Sequence, residues 1–151
     1  MGPFPHSAPQ AKISEANPAG TDGFEFVEFA HPQPEELRTL FGRMGYALTA
    51  RHKTKAIELW QQGDITYVLN DEPGSHARRF VDEHGPCAPS MGWRVVDAAH
   101  AFAHAVKMGA TPYEGRDKAL DLPAIVGIGG SLIYFTDRYG SKNPYDAEFD
   151  W

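Results

Sequence analysis

The first sustained alternation of apolar and polar positions begins at Gly23. Gly23-Phe24-Glu25-Phe26-Val27-Glu28-Phe29 alternates apart from Val27 and predicts a strand with three aromatic rings to bury. Pro32 and Pro34 punctuate the chain next. Pro34 suits a first helical turn, and Glu35 and Glu36 complement the helix dipole there. Leu37, Leu40, Phe41 and Met44 follow at helical spacing until Gly45, so an amphipathic helix is expected. Three strands are expected after it, at about 46–51, 56–62 and 65–70, with Gly63-Asp64 turning the last two into a hairpin. A second helix is predicted from Ser75, its cap, to Glu83, with Ala77, Phe80 and Val81 on its apolar face.

The pattern then starts again. Met91–Val96 reads as a strand. Asp97 can cap a helix whose stripe is Ala99, Phe102, Ala103 and Val106, ended by Gly109, and strands follow near 110–114 and 131–137. Arg43-Met44-Gly45 and Lys107-Met108-Gly109 end the two main helices. Gly63-Asp64-Ile65-Thr66-Tyr67-Val68-Leu69-Asn70 aligns without gaps on Gly130-Ser131-Leu132-Ile133-Tyr134-Phe135-Thr136-Asp137. Such self-similarity points to a duplicated unit. The fold class is α+β, with two βαβββ modules paired into one domain. Each module is a small curved sheet with a helix on its convex face, and a cleft lies between the concave faces. The expected boundaries are a Pro-rich arm over 1–20, module one over about 21–84, module two over about 88–140, and a carboxyl-terminal linker over 141–151.

Composition removes several function classes. Hydrophobic residues are 42% and charged residues 23% of the 151, as in an ordinary globular protein. A net charge of −6 argues against a nucleic-acid partner, which needs a basic face, and against docking on an anionic membrane. No apolar run approaches the ~20 residues that span a bilayer. The first residues carry neither a basic n-region nor an apolar core, so no secretory signal is expected, and the lone Cys87 suits a reducing cytoplasm.

The cleft is where chemistry would sit. A non-haem iron site typically takes two His and one carboxylate from converging strands. The corresponding positions, midway along the first and last strands of each module, are Phe26, Tyr67, Met91 and Tyr134. A benzene ring, a thioether and two phenols make an improbable ferrous site, so these positions read as degenerate and the cleft as filled and metal-free. Glu28 shares the face of Phe26 and is the remaining ligand candidate; Glu25 is expected off that face. His100 and His104, four apart on a helix, read as an incidental pair on its solvated side. His76 and His84 straddle a short helix whose ends face solvent, and His31 and His52 lie in or beside loops. None of these has an activated nucleophile beside it. Gly127-Ile128-Gly129-Gly130 precedes a strand with no Lys-Ser/Thr, so it is a tight connection and not a phosphate cradle. Asp121–Ile125 reads as a loop at the cleft edge.

An ordered set of segments carries a family resemblance. It comprises Asn17-Pro18, Gly20, Gly23–Phe29, Glu83-His84-Gly85-Pro86, Leu122–Gly130, Leu132-Ile133-Tyr134, Asp137-Arg138-Tyr139-Gly140 and Tyr145-Asp146 with Phe149. From about residue 17 to its carboxyl end the chain resembles the amino-terminal domain of bacterial 4-hydroxyphenylpyruvate dioxygenases, within the vicinal oxygen chelate (glyoxalase/bleomycin-resistance) superfamily. That resemblance implies that Fe(II), two His and one Glu belong to a following catalytic domain. There an α-keto acid and O2 would become homogentisate and CO2 in tyrosine catabolism. It also implies that the amino-terminal domain supports folding and a homo-oligomer. No catalytic residue is expected in this chain, no cofactor, and no substrate-binding residue can be named. A stand-alone small-molecule-binding protein of the glyoxalase type remains open as a second reading, and a self-sufficient metal lyase or isomerase as a third.

Overall fold

A computed structural model describes residues 9–151. Their elements run β1 (Thr21–Ala30), α1 (Pro34–Arg43), β2 (Ala47–His52), β3 (Ile57–Gln62), β4 (Ile65–Asn70), α2 (His76–His84), β5 (Cys87–Val95), α3 (Ala98–Lys107), β6 (Ala124–Val126), β7 (Leu132–Thr136) and β8 (Phe149–Asp150). A single 3-10 turn, Ile128–Gly130, precedes β7.

The eight strands form one sheet in the order β6-β7-β5-β1-β4-β3-β2-β8. Within module one β1 lies parallel to β4, with Phe26 opposite Thr66 and Glu28 opposite Val68. Within module two β5 lies parallel to β7, with Met91 opposite Ile133 and Gly92 opposite Tyr134. The first strands of the two modules then pair antiparallel, Phe26 with Gly92 and Glu28 with Ser90. Two βαβββ modules are therefore fused edge to edge into one sheet. The central strands of a sheet leave no free edge, and this pairing protects both β1 and β5.

Helices α1 and α3 take one face. Phe41 and Leu37 of α1 pack on Phe29, Trp60, Tyr67 and Leu69. On α3, Ala98, Ala101, Phe102 and Ala105 pack on Trp93, Val95, Ile133 and Phe135. That stripe is turned about one position from the expected one: Ala99, Ala103 and Val106 are exposed. Two capping contacts set the rotation. Asp97 accepts the His100 N–H at 2.8 Å, and Asp137 accepts the Ala98 N–H at 3.0 Å, pinning the first turn of α3 beside the end of β7. Helix α2 connects the modules. Ser75 caps it, accepting from the Arg78 N–H at 3.1 Å, and Ala77 and Val81 pack on Ala30.

Three segments differ from expectation. The strand expected near 110–114 contracts to one bridge, Pro112 with Ile125, because proline removes the ladder donor. Its partner β6 occupies the stretch read as a loop, with Tyr113 donating to Ala124 at 2.9 Å and Val126 to Thr111 at 2.8 Å. At the carboxyl end, the expected linker carries β8, which extends the sheet beside β2, and buries Tyr145 and Phe149. The first eight residues of the expected arm lie outside the described residues. Residues 9–20 fold onto the domain: Asn17 receives the Thr21 N–H at 2.9 Å, and the Pro18 carbonyl meets His100 Nε2 at 2.8 Å.

Candidate functional site

The sheet face opposite α1 and α3 encloses the inter-module groove. Period-2 alternation sends Phe26 and Glu28 of β1 into it, together with Leu59 of β3, Val68 of β4, and Leu132 and Tyr134 of β7. Gly92 of β5 faces it too, and its missing side chain leaves the space that the Phe26 ring occupies. Four residues from outside the strands of both modules complete the filling: Ala119, Leu120, Tyr145 and Phe149. The Phe26 ring lies 5.6 Å from Tyr134 and 6.5 Å from Tyr145, centroid to centroid, and Tyr145 lies 5.9 Å from Phe149. These tilted and edge-on contacts suit aromatic rings packed as a core.

Of the four positions expected to replace metal ligands, the structure brings two together. Phe26 and Tyr134 meet in the groove. Tyr67 points to the helix face, stacked on Tyr46 at 4.3 Å and packed on Phe41 at 5.1 Å. Met91 also sits on the opposite face, between the Ser90 and Gly92 that turn inward, and is 37% exposed. The correction has a simple cause. On a strand, adjacent residues alternate faces, so an assignment good to one residue reverses the direction. The groove-facing residues are Thr66 and Val68 in place of Tyr67, and Ser90 and Gly92 in place of Met91.

Two carboxylates reach the groove. Glu28 is 1% exposed. Asn70 Nδ2 donates to its Oε1 at 2.8 Å, and the Ser90 hydroxyl donates to its Oε2. The acid thus ties β1 to β4 and, across the module seam, to β5. Burial pushes its pKa above the usual carboxylate range, only partly offset by these two donors. Glu25 was expected off this face. The β1–β5 register shifts between Phe24 and Phe26, and the irregularity turns Glu25 inward, where it is buried. Arg94 Nε donates to its Oε2 at 2.6 Å and Tyr145 Oη to its Oε1 at 3.2 Å. Burial raises its pKa as well, with Arg94 and Tyr145 opposing.

The phenols are not available as bases. Burial lifts Tyr134 far above its usual range, and its oxygen accepts the Ala119 N–H at 3.0 Å. Tyr145 is raised for the same reason, burial first, with Glu25 adding to it. The histidines lie elsewhere. His76, expected at a solvated helix end, is buried, with Nε2 2.8 Å from the Gly130 carbonyl. His52 Nε2 is 3.3 Å from Glu148. His100 and His104 stack at 6.3 Å on the outer side of α3.

These side chains do not fit a ferrous centre. The groove offers two buried carboxylates, each already holding two donors, and phenyl, phenol and aliphatic groups around them. Among the described residues no three His, Cys, Asp or Glu side chains converge. Missed in the sequence were Glu25, Asn70, Ser90, Arg94 and the Tyr145/Phe149 pair. For that pair a signal existed: two aromatics four apart in a segment otherwise polar enough to be a linker.

The family described as "Hydroxyphenylpyruvate dioxygenase, HPPD, N-terminal" matches residues 15–150. The 4-hydroxyphenylpyruvate dioxygenase of Pseudomonas aeruginosa is 46% identical over 146 residues, covering 93% of this chain and 41% of the relative. Among solved structures, a xylose isomerase-like TIM barrel/4-hydroxyphenylpyruvate dioxygenase fusion protein matches at TM-score 0.78 and 32% identity, over 94% of this chain and 22% of that one. A mutant 4-hydroxymandelate synthase from Streptomyces coelicolor matches in fold at TM-score 0.68 and 17% identity, over 86% of this chain and 40% of that one. The chain spans about two fifths of the dioxygenase it matches.

Proposed function

Because the chain belongs to the family of amino-terminal domains of hydroxyphenylpyruvate dioxygenases, we propose that it is the non-catalytic half of such an enzyme. Its parent would convert 4-hydroxyphenylpyruvate and O2 to homogentisate and CO2 in tyrosine catabolism. The partner is a carboxyl-terminal catalytic domain holding Fe(II). The observation that carries this reading is the filled groove. The space where paired modules of this kind could admit a metal and a substrate is occupied by Phe26, Leu120, Tyr134, Tyr145 and Phe149 of the chain itself.

The role left to the domain is structural. It presents a rigid sheet, closed along β1 and β5, on which a following domain and further copies of the chain assemble in the cytoplasm. Among the described residues no helix is long and apolar enough to cross a membrane.

The test is an assay of the 151-residue chain with ferrous iron, 4-hydroxyphenylpyruvate and oxygen, paired with elemental analysis after gel filtration. No homogentisate and no stoichiometric iron are expected. Turnover, or one iron retained per chain, refutes the proposal.

A further inference from the structure

A solvent-open cavity of about 260 Å³ lies at one end of the groove, between Glu25, Thr66, Arg94 and the segment 139–145. Arg94 is held from two sides in this wall. Arg94 Nε is taken by Glu25 at 2.6 Å, and Glu25 is itself fixed by the buried Tyr145. The guanidinium lies over the Tyr139 ring, 5.5 Å from its centroid. Tyr139 is held in turn, its hydroxyl donating to Asp22 at 2.8 Å. An arginine gripped at Nε by a buried acid and supported beneath by a ring keeps one orientation. Its two terminal nitrogens carry no hydrogen bond among the described residues, and the side chain lines the cavity.

Two further groups of the wall offer donors. Asn143 lends its carbonyl oxygen to the Tyr145 N–H at 2.8 Å, which leaves the amide NH2 for a ligand. Lys142 lines the rim with an ammonium that meets no carboxylate among the described residues. A preorganised guanidinium fork with two further donors matches a carboxylate, for which Arg is the bidentate partner. Glu25 and Asp64 in the same wall disfavour a second negative charge on the ligand. Tyr139 and Pro144 supply flat apolar surface for its body.

We propose that this cavity is a binding site for a small monocarboxylate, anchored by Arg94 with Lys142 and Asn143 at its rim. The site lies outside the filled part of the groove. It requires no metal and stands whether or not the chain is one half of a dioxygenase.

The experiment is a titration of the 15N-labelled 151-residue chain with sodium benzoate, followed by NMR, with sodium phosphate as a parallel arm. Benzoate should give saturable shifts in the millimolar range at the Arg94 Nε–H and at the Lys142 and Asn143 amides. Arg94→Lys, which keeps the charge but loses the fork, should weaken binding by about tenfold or more. Lys142→Gln, an exposed change, should weaken it by a few-fold and leave the fold intact. If Arg94→Lys fails to fold, Lys142→Gln and Asn143→Ala probe the same site from its rim. Shifts that do not saturate overturn the proposal. So does benzoate binding untouched by the Lys142 and Asn143 changes, or phosphate binding as tight as benzoate.

Discussion

Gly92→Ala tests whether the groove is packed as tightly as its geometry states. A Cβ on Gly92 would lie 2.3 Å from Phe26 Cε1, 2.5 Å from Cδ1 and 2.9 Å from Cζ, where ordinary contact begins at 3.4 Å. The Phe26 ring would have to retreat by more than about 1 Å, yet Tyr134 and Tyr145 stand behind it and it is 2% exposed. Gly92 does not have a positive φ, so alanine carries no backbone strain and the whole effect is steric. Overpacking of a dense core typically costs about 1–3 kcal/mol, and three contacts this short put the change at the upper end, about 3 kcal/mol. For a chain of this size that lowers Tm by about 6–12 °C. The assay is urea unfolding followed by near-UV circular dichroism, run as a double-mutant cycle with Phe26→Leu. Phe26→Leu alone should cost roughly 1–2 kcal/mol through lost packing. Together the two changes should be less damaging than their sum by at least about 1 kcal/mol, because the smaller side chain vacates the space the new methyl needs. A Gly92→Ala change within about 0.5 kcal/mol of wild type, or strict additivity in the cycle, refutes the packing argument.

Two other perturbations address the buried acid and the carboxyl-terminal segment. Burial raises the pKa of Glu28 in the fold above its unfolded value, so the folded state binds the proton more tightly; its contribution is full below the ordinary carboxylate range and declines as pH rises toward the raised value. Glu28→Gln, which can still accept from Asn70 and meet Ser90, should therefore flatten the fall in unfolding free energy as pH rises above the ordinary carboxylate range and be no less stable than wild type at neutral pH; a loss above about 2 kcal/mol there shows that Glu28 works as the ionised acceptor instead. Deleting 141–151 removes Tyr145 and Phe149 from the groove and the β8 pairing, so the shortened chain should lose its cooperative unfolding transition and bind a hydrophobic dye. Unchanged unfolding after the deletion would mark the segment as a mere tether.

The sequence by itself determined the local elements and their duplication. Prolines, glycines and caps such as Ser75 and Asp97 act within a few residues, and the Gly63–Asn70 match to Gly130–Asp137 is a property of the letters alone. From those, two βαβββ modules were legible, and the ordered segments carried the family. What the letters could not determine was direction and partnership across distance. Tyr67 and Met91 are expected in the groove and face away from it, because facing alternates with every residue along a strand. Glu25 enters the groove only through a register shift between β1 and β5, whose paired residues there, Phe24 with Trp93 and Phe26 with Gly92, lie far apart in sequence. Tyr145 and Phe149 look like part of a linker, since nothing near them in sequence can bury them; their partners Phe26 and His52 lie about a hundred residues away. A hydrophobic pattern records that a residue will be buried, but only the closed sheet decides against what.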